Sequence, residues 1–203
     1  MVKAPAAGRV KTRLAREIGP VRAALFYRHT VAALLGRVGA ARDWCTILAV
    51  APDASRKSPV WPARFERLAQ GSGDLGARMQ RLMDRMPPGP VVVVGTDIPG
   101  IRANHIREAF RRLGANDAVF GPAPDGGYWL VGLRRRPRTP RAFDAVRWSG
   151  PHALSDTLRN LEGPSVGRVA TLADVDDAAD LARFAGAHER RILPLFPSPR
   201  HDV

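Results

Sequence analysis

Residues 91–94 are four consecutive valines, and no other stretch limits the fold of this chain as strongly. A surface helix would interleave polar residues at a 3.6-residue period, and a half-exposed strand would alternate. An unbroken apolar run this short reads instead as a strand, Val91–Gly95, central in its sheet and covered on both faces. Strands of that kind belong to sheets sandwiched between helices, so the run predicts a layered α/β architecture. The run ends in GTDIPG, where Gly95 and Pro99 break the strand. In open α/β sheets ligands bind beyond the carboxyl ends of the strands, and Asp97 lies two residues past this one. A lone carboxylate there suits a divalent cation shared with substrate phosphates, because Mg²⁺ keeps several waters and takes only one or two protein carboxylates. The same aspartate would also serve as a turn or cap residue.

The remaining pattern alternates in the same way. Helices are expected at 21–38, 74–86, 104–113, 151–161 and 177–190, and strands at 45–51, 117–121, 128–133 and 166–171. A chain of 203 residues with no internal repeat and no linker reads as one domain spanning 1–190, followed by an irregular Pro-rich tail over 191–203. No apolar run approaches the ~20 residues needed to cross a bilayer. A lone cysteine, Cys45, excludes an internal disulfide, and the expected location is the cytoplasm. The net charge of +13 favours phosphate-bearing partners. Without an aromatic-interleaved basic stripe or a recognition helix, the charge argues for a nucleotide rather than a nucleic acid.

Four further segments carry candidate chemistry. MVKAPAAGRVKTRLA sets Gly8, Arg9, Lys11 and Arg13 in a loop between a residual strand and a helix. Its backbone amides and cations suit a polyphosphate, although the spacing is not that of a P-loop. In QGSGDLGARM, Gly73 and Asp74 open a helix whose free N–H groups favour an anion, while a well-capped helix is the plainer reading. GPAPDGGYWLVGL places Asp125, Gly126, Gly127 and Tyr128 at a turn between two strands, either a simple hairpin or a ligand-facing loop walled by aromatics. DVDDAADL closes a strand with Asp174, Asp176 and Asp177 before a helix. Capping accounts for one of them, Asp177 together with Asp180 suiting the helix dipole, and a further acidic contribution to a site is the alternative.

Taken in order, KAPAAGRVKTRLA, QGSGDLGARM, VVVVGTDIPGI, GPAPDGGYWLVGL, Val146-Arg147-Trp148-Ser149 and DVDDAADL resemble the radical-SAM/selenodomain-associated transferase 1 family. That family, also called arsenosugar-biosynthesis glycosyltransferase-like, belongs to the GT-A, nucleotide-diphospho-sugar transferase superfamily. The resemblance implies a three-layer, Rossmann-like, mostly parallel sheet and a metal-dependent transferase that uses a nucleotide or nucleotide-sugar donor. It implies Mg²⁺ or Mn²⁺ as cofactor, held by Asp97 with Thr96 beside it. Gly8, Arg9, Lys11 and Arg13 would hold phosphates, and Asp125, Gly126 and Gly127 would face a small-molecule acceptor. Lys11, Arg13 and Asp125 are the candidate catalytic groups, and Gly73, Asp74, Thr96 and Asp97 complete the nucleotide set. Glycosyl and nucleotidyl transfer both remain open, as does a non-catalytic nucleotide- or nucleic-acid-binding protein on the same fold. Only Met1 and Val2 stand where the family carries a full first strand, so that strand is expected to be largely missing and the true start codon to lie upstream.

Overall fold

The valine run forms β4, Val91–Val94, but it is not fully covered: each of its four residues is only half-buried. The reason is its neighbours. β4 pairs antiparallel with β6, Tyr128–Leu133, in the register Val91↔Leu133 to Val94↔Leu130. On its other edge lies β1, which is just Val2–Lys3. β1 reaches only the end of β4, where the Met1 ammonium donates to the Val94 carbonyl at 2.6 Å. The expectation that every valine of this strand is covered on both faces is therefore corrected.

The computed structural model describes residues 1–136 and 138–187, so the 191–203 tail and the end of the helix expected to 190 lie outside the described residues. β1 continues in parallel to β2, Ile47–Ala51, and β2 to β3, Glu66–Ala69. The second sheet has the order β4-β6-β5-β7, with β5 at Ala118–Pro122 and β7 at Val166–Arg168. β5 runs parallel to β7, while β6 runs against both its neighbours. Three of these five pairings are parallel, and both antiparallel ones belong to β6, which is entered through the tight loop at Asp125.

Alternation along the strands explains the layering. Val91, Val93, Val131 and Phe120 face Met79 and Met83 of α3, Leu75–Arg85. Val92, Val94, Leu130 and Val119 face Ile106, Ala109 and Leu113 of α4, Ala103–Leu113, on the opposite side. Each fully buried aliphatic side chain here contributes about 1.5–3 kcal/mol relative to exposure. The first sheet packs Val2, Leu48 and Val50 on Ala24, Tyr27 and Val31 of α2, Pro20–Arg37. A short helix α1, Thr12–Ile18, precedes it, and α5, Ala153–Arg159, and α6, Ala178–Ala187, complete the chain. None of the described helices is long and apolar enough to cross a membrane.

Candidate active site

The loops that leave β1, β4 and β7 and the loop that enters β6 meet at one end of the two sheets, around a cleft of about 650 Å³. Lys11 is the first residue to be fixed there. It precedes α1 with φ 46°, a left-handed conformation rare for a residue with a side chain, and holding it costs on the order of 1–3 kcal/mol. This conformation carries a side chain only 5% exposed to the carboxylates, with Nζ 2.8 Å from Asp176 and 3.4 Å from Asp97. Burial alone would lower the Lys11 pKa, but Asp97, Asp176 and Asp174 together outweigh it and raise the value.

One carboxylate oxygen from each of Asp97, Asp174 and Asp176 falls within 4.8 Å of the others. Burial, then the nearby Asp176 charge, pushes the Asp174 carboxyl up to about 6 against the pull of Lys11, and Asp97 and Asp125 add to the push. Crowded half-buried oxygens of like charge are the donor set that a hard divalent cation takes, so the residues present fit the implied metal. Asp177 is the residue that caps: its Oδ1 accepts from the Asp180 amide at 2.8 Å, while Asp180 Oδ2 accepts from Asp176 N. The acidic segment therefore divides its labour, with Asp177 on the helix and Asp174 and Asp176 on the centre.

A chain of hydrogen bonds sets the position of Asp97 through its neighbour. Thr96 Oγ1 donates to the Met1 carbonyl at 3.0 Å and lies 3.1 Å from the Tyr27 hydroxyl. Since the Thr96 proton is taken, Tyr27 donates to Thr96 and accepts from the Lys3 amide at 2.9 Å. Buried Gln70 ties β1 to β2 by donating to the Val2 and Ala49 carbonyls. Neither Tyr27 nor Gln70 carries a sequence signal of its own, because an α2 residue on the apolar face and a glutamine before a glycine are unremarkable locally.

Of the residues singled out from sequence, Arg9, Lys11, Arg13, Thr96, Asp97, Asp125, Gly127 and Tyr128 line this one cleft. Arg13 stands at its mouth, 73% exposed and 3.5 Å from Asp176. Asp125 accepts from the Gly127 amide at 2.9 Å, which closes the turn. Gly8, Gly73, Asp74 and Gly126 lie off the wall. Asp74 caps α3 by accepting from Ala77 N at 2.8 Å, and its neighbours Leu75 and Arg78 line the cleft instead. Gly126, at φ 84°, packs on the backbone of Pro151, where a Cβ would come within 2.3 Å of a carbonyl oxygen.

The same cleft has an aromatic wall. The Tyr128 ring meets Trp148 at 6.3 Å between centroids and Phe120 at 5.2 Å. Tyr128 donates its hydroxyl proton to Thr157, which itself donates to the Ala153 carbonyl; burial raises the phenol pKa. The segment bearing Trp148 is clamped by Asp156, which accepts from the Arg147 guanidinium twice at 2.8 Å and from its backbone N–H at 3.1 Å. Hydrogen bonds from Arg147 hold the Asp156 carboxyl far below the usual carboxylate range.

Comparison with known proteins agrees with this architecture. A crystal structure of a "putative nucleotide-diphospho-sugar transferase" from Desulfovibrio desulfuricans G20 superposes with a TM-score of 0.81 at 30% identity, covering 95% of this chain and 87% of that one. The nucleotide-diphospho-sugar transferase fold expected from sequence is the fold observed. These comparisons do not show the specific radical-SAM-associated family, and no curated protein matches the chain. Residues 33–150 match the family described as "Uncharacterized protein conserved in bacteria (DUF2064)". That span takes in the end of α2, the β4 loop, the aromatic wall and more than half of the chain, which is therefore a member of the bacterial DUF2064 family.

Proposed function

We propose that this chain is a divalent-metal-dependent transferase that takes a nucleotide-diphospho-sugar as donor and a small hydroxyl compound as acceptor. The observation that carries the reading is the convergence of Asp97, Asp174 and Asp176 beside Lys11, beyond the end of β4. Asp97, Asp174 and Asp176 would hold Mg²⁺ or Mn²⁺, which when bound supplies Lewis-acid stabilisation of diphosphate oxygens. Arg9 and Arg13 at the mouth bind and orient the phosphates, and Lys11 supplies a fixed positive charge where negative charge accumulates on the departing diphosphate. Thr96 and Asp74 support these groups, through the Tyr27 hydrogen bonds and the α3 cap respectively. Asp125 faces the acceptor and takes the proton of its hydroxyl while the acceptor oxygen bonds to the sugar carbon and the nucleoside diphosphate leaves. Gly127 and Tyr128 shape the acceptor side. The likeness to the Desulfovibrio protein, whose name gives a nucleotide-diphospho-sugar transferase, supports this donor class.

Nucleotidyl transfer from a nucleoside triphosphate is the second reading, favoured by the gathering of Arg9, Lys11 and Arg13 where the loop after β1 enters α1. In it, attack falls on the α-phosphorus and these cations hold the displaced pyrophosphate. A thermal-shift panel of nucleoside triphosphates and nucleotide sugars, with and without Mg²⁺ or Mn²⁺, tests both. Metal-dependent stabilisation that disappears in Asp97→Asn is expected. Product analysis then separates them, a nucleoside diphosphate marking the first and pyrophosphate the second. Metal-dependent binding with neither product would leave a non-catalytic nucleotide-binding protein.

A further inference from the structure

The Arg147-Trp148-Ser149 segment has no part in the proposed metal and phosphate contacts, yet it is firmly fixed. Asp156 is only 5% exposed and takes three hydrogen bonds from Arg147, one of them from the backbone amide next to Trp148. Ser149 is held at φ 62°. The indole is pressed on α3 so closely that a Cβ at Gly76 would lie 2.9 Å from its Cζ2. A surface loop has no need of such fixing, whereas a wall that must keep its shape does.

The surface it builds is apolar. Trp148, Tyr128, Leu75 and Met79 line the same cleft as the carboxylates, and Leu75 stays 43% exposed, one of three large hydrophobic residues left open to solvent among the described residues. The polar groups nearby are few. The Tyr128 hydroxyl is committed to Thr157, and Arg78 Nε donates to the Gly73 carbonyl. What remains is the outer end of the Arg78 guanidinium and the Ser149 hydroxyl, for the Trp148 indole N–H is buried, with no hydrogen-bond partner among the described residues. A polyol lying here would lose its water and find too few partners for its hydroxyls. A flat apolar ring would cover Leu75 and face the aromatic pair, in the offset or edge-on arrangement such groups prefer.

We infer that Trp148, Tyr128 and Leu75 form a specificity subsite that selects an acceptor built on an apolar ring, aromatic or alicyclic, with its reacting hydroxyl directed at Asp125. This rests on the transferase reading for the identity of the occupant, while the subsite itself rests on the wall. Trp148 is a specificity determinant, and Arg147 and Asp156 are positioning residues.

Ligand-detected NMR titration of the full chain with benzyl alcohol, cyclohexanol and glucose tests it. Both ring alcohols are expected to bind about tenfold more tightly than glucose, and Leu75→Ser, an exposed change that spares the core, to remove most of that preference. Trp148→Ala should do the same, with circular dichroism checking its fold, and Asp156→Asn should lower ring affinity without altering metal-dependent nucleotide binding. Glucose binding as tightly as the ring alcohols, no binding of either ring alcohol, or an unchanged preference in Leu75→Ser would each overturn the subsite. Metal-dependent nucleotide binding, measured in the same samples, is independent of those outcomes; its absence overturns the transferase reading instead.

Discussion

Two aspartates, one buried behind the aromatic wall and one among the carboxylates of the cleft, show how differently this fold treats the same side chain. Asp156 is buried against Arg147 and Arg159, and its carboxyl is held far below the ordinary range by hydrogen bonds from Arg147. Asp174 is half-buried among Asp176, Asp97 and Asp125, with Lys11 as its opposing cation, and its carboxyl is pushed up to about 6 by burial and then by those charges. The first is a satisfied structural ion, and the second is a strained one. Native structure tolerates strain where something bound relieves it, so the contrast separates what holds the cleft together from what the cleft is for.

The largest effect expected at the strained end is from Asp97→Asn, which should weaken Mn²⁺-dependent nucleotide binding about 100-fold by calorimetry. Equal loss in Asp156→Asn would erase the contrast. Next comes pH. A metal held there as proposed would have to displace the Asp174 proton, so its affinity should fall about tenfold between pH 7 and pH 5, as the group protonates below about 6. Asp174→Asn should flatten that dependence. Without metal the sign reverses for stability: the folded-state pKa lies above the unfolded value, so the native state binds the extra proton and loses stability as pH rises from about 4 to about 6.

The paired end should show the opposite slope. Because the folded Asp156 pKa is depressed, its contribution is complete above the ordinary carboxylate pKa and is lost as pH falls below it. Asp156→Asn should lower the melting temperature by several degrees at pH 7 and much less at pH 3, measured by circular dichroism. The smallest effect is expected from Thr96→Val, which removes one hydrogen bond to Met1 and one from Tyr27. It should weaken metal-dependent binding by less than tenfold while leaving the Asp156-linked stability untouched.

Much of this arrangement was legible beforehand, for a physical reason. Val91–Val94 and Tyr128–Leu133 are unbroken apolar runs and the α3 and α4 stripes recur at helical period, patterns that locate strands and the buried faces of helices. Asp97 was found because a strand end fixes where the next residues point. The second sheet's pairing order was not legible, because nothing local to β6 says that it runs against both neighbours. Nor was α1, a helix whose start depends on the left-handed Lys11. Asp174 and Asp176 share their sequence neighbourhood with a true cap at Asp177, so only the long-range approach of the segment after β7 to the β4 loop separates the two roles. Trp148 was visible as part of a motif, but Gly76 and Tyr128, which it packs on, and Asp156, which holds the adjacent Arg147, come from three other elements.

The reversed direction of β6 has an effect that reaches beyond its own hydrogen bonds. Its first residue, Tyr128, belongs to the cleft, while its later residues alternate between α3 through Val131 and α4 through Leu130. A one-residue slip in its pairing would exchange those two faces and carry Tyr128 away from Trp148 in the same movement. Packing errors and a misplaced aromatic wall are therefore a single event in this protein. An insertion in the Asp125–Gly127 turn that leaves the core intact is accordingly confined to lengths that preserve the Gly121↔Leu130 register.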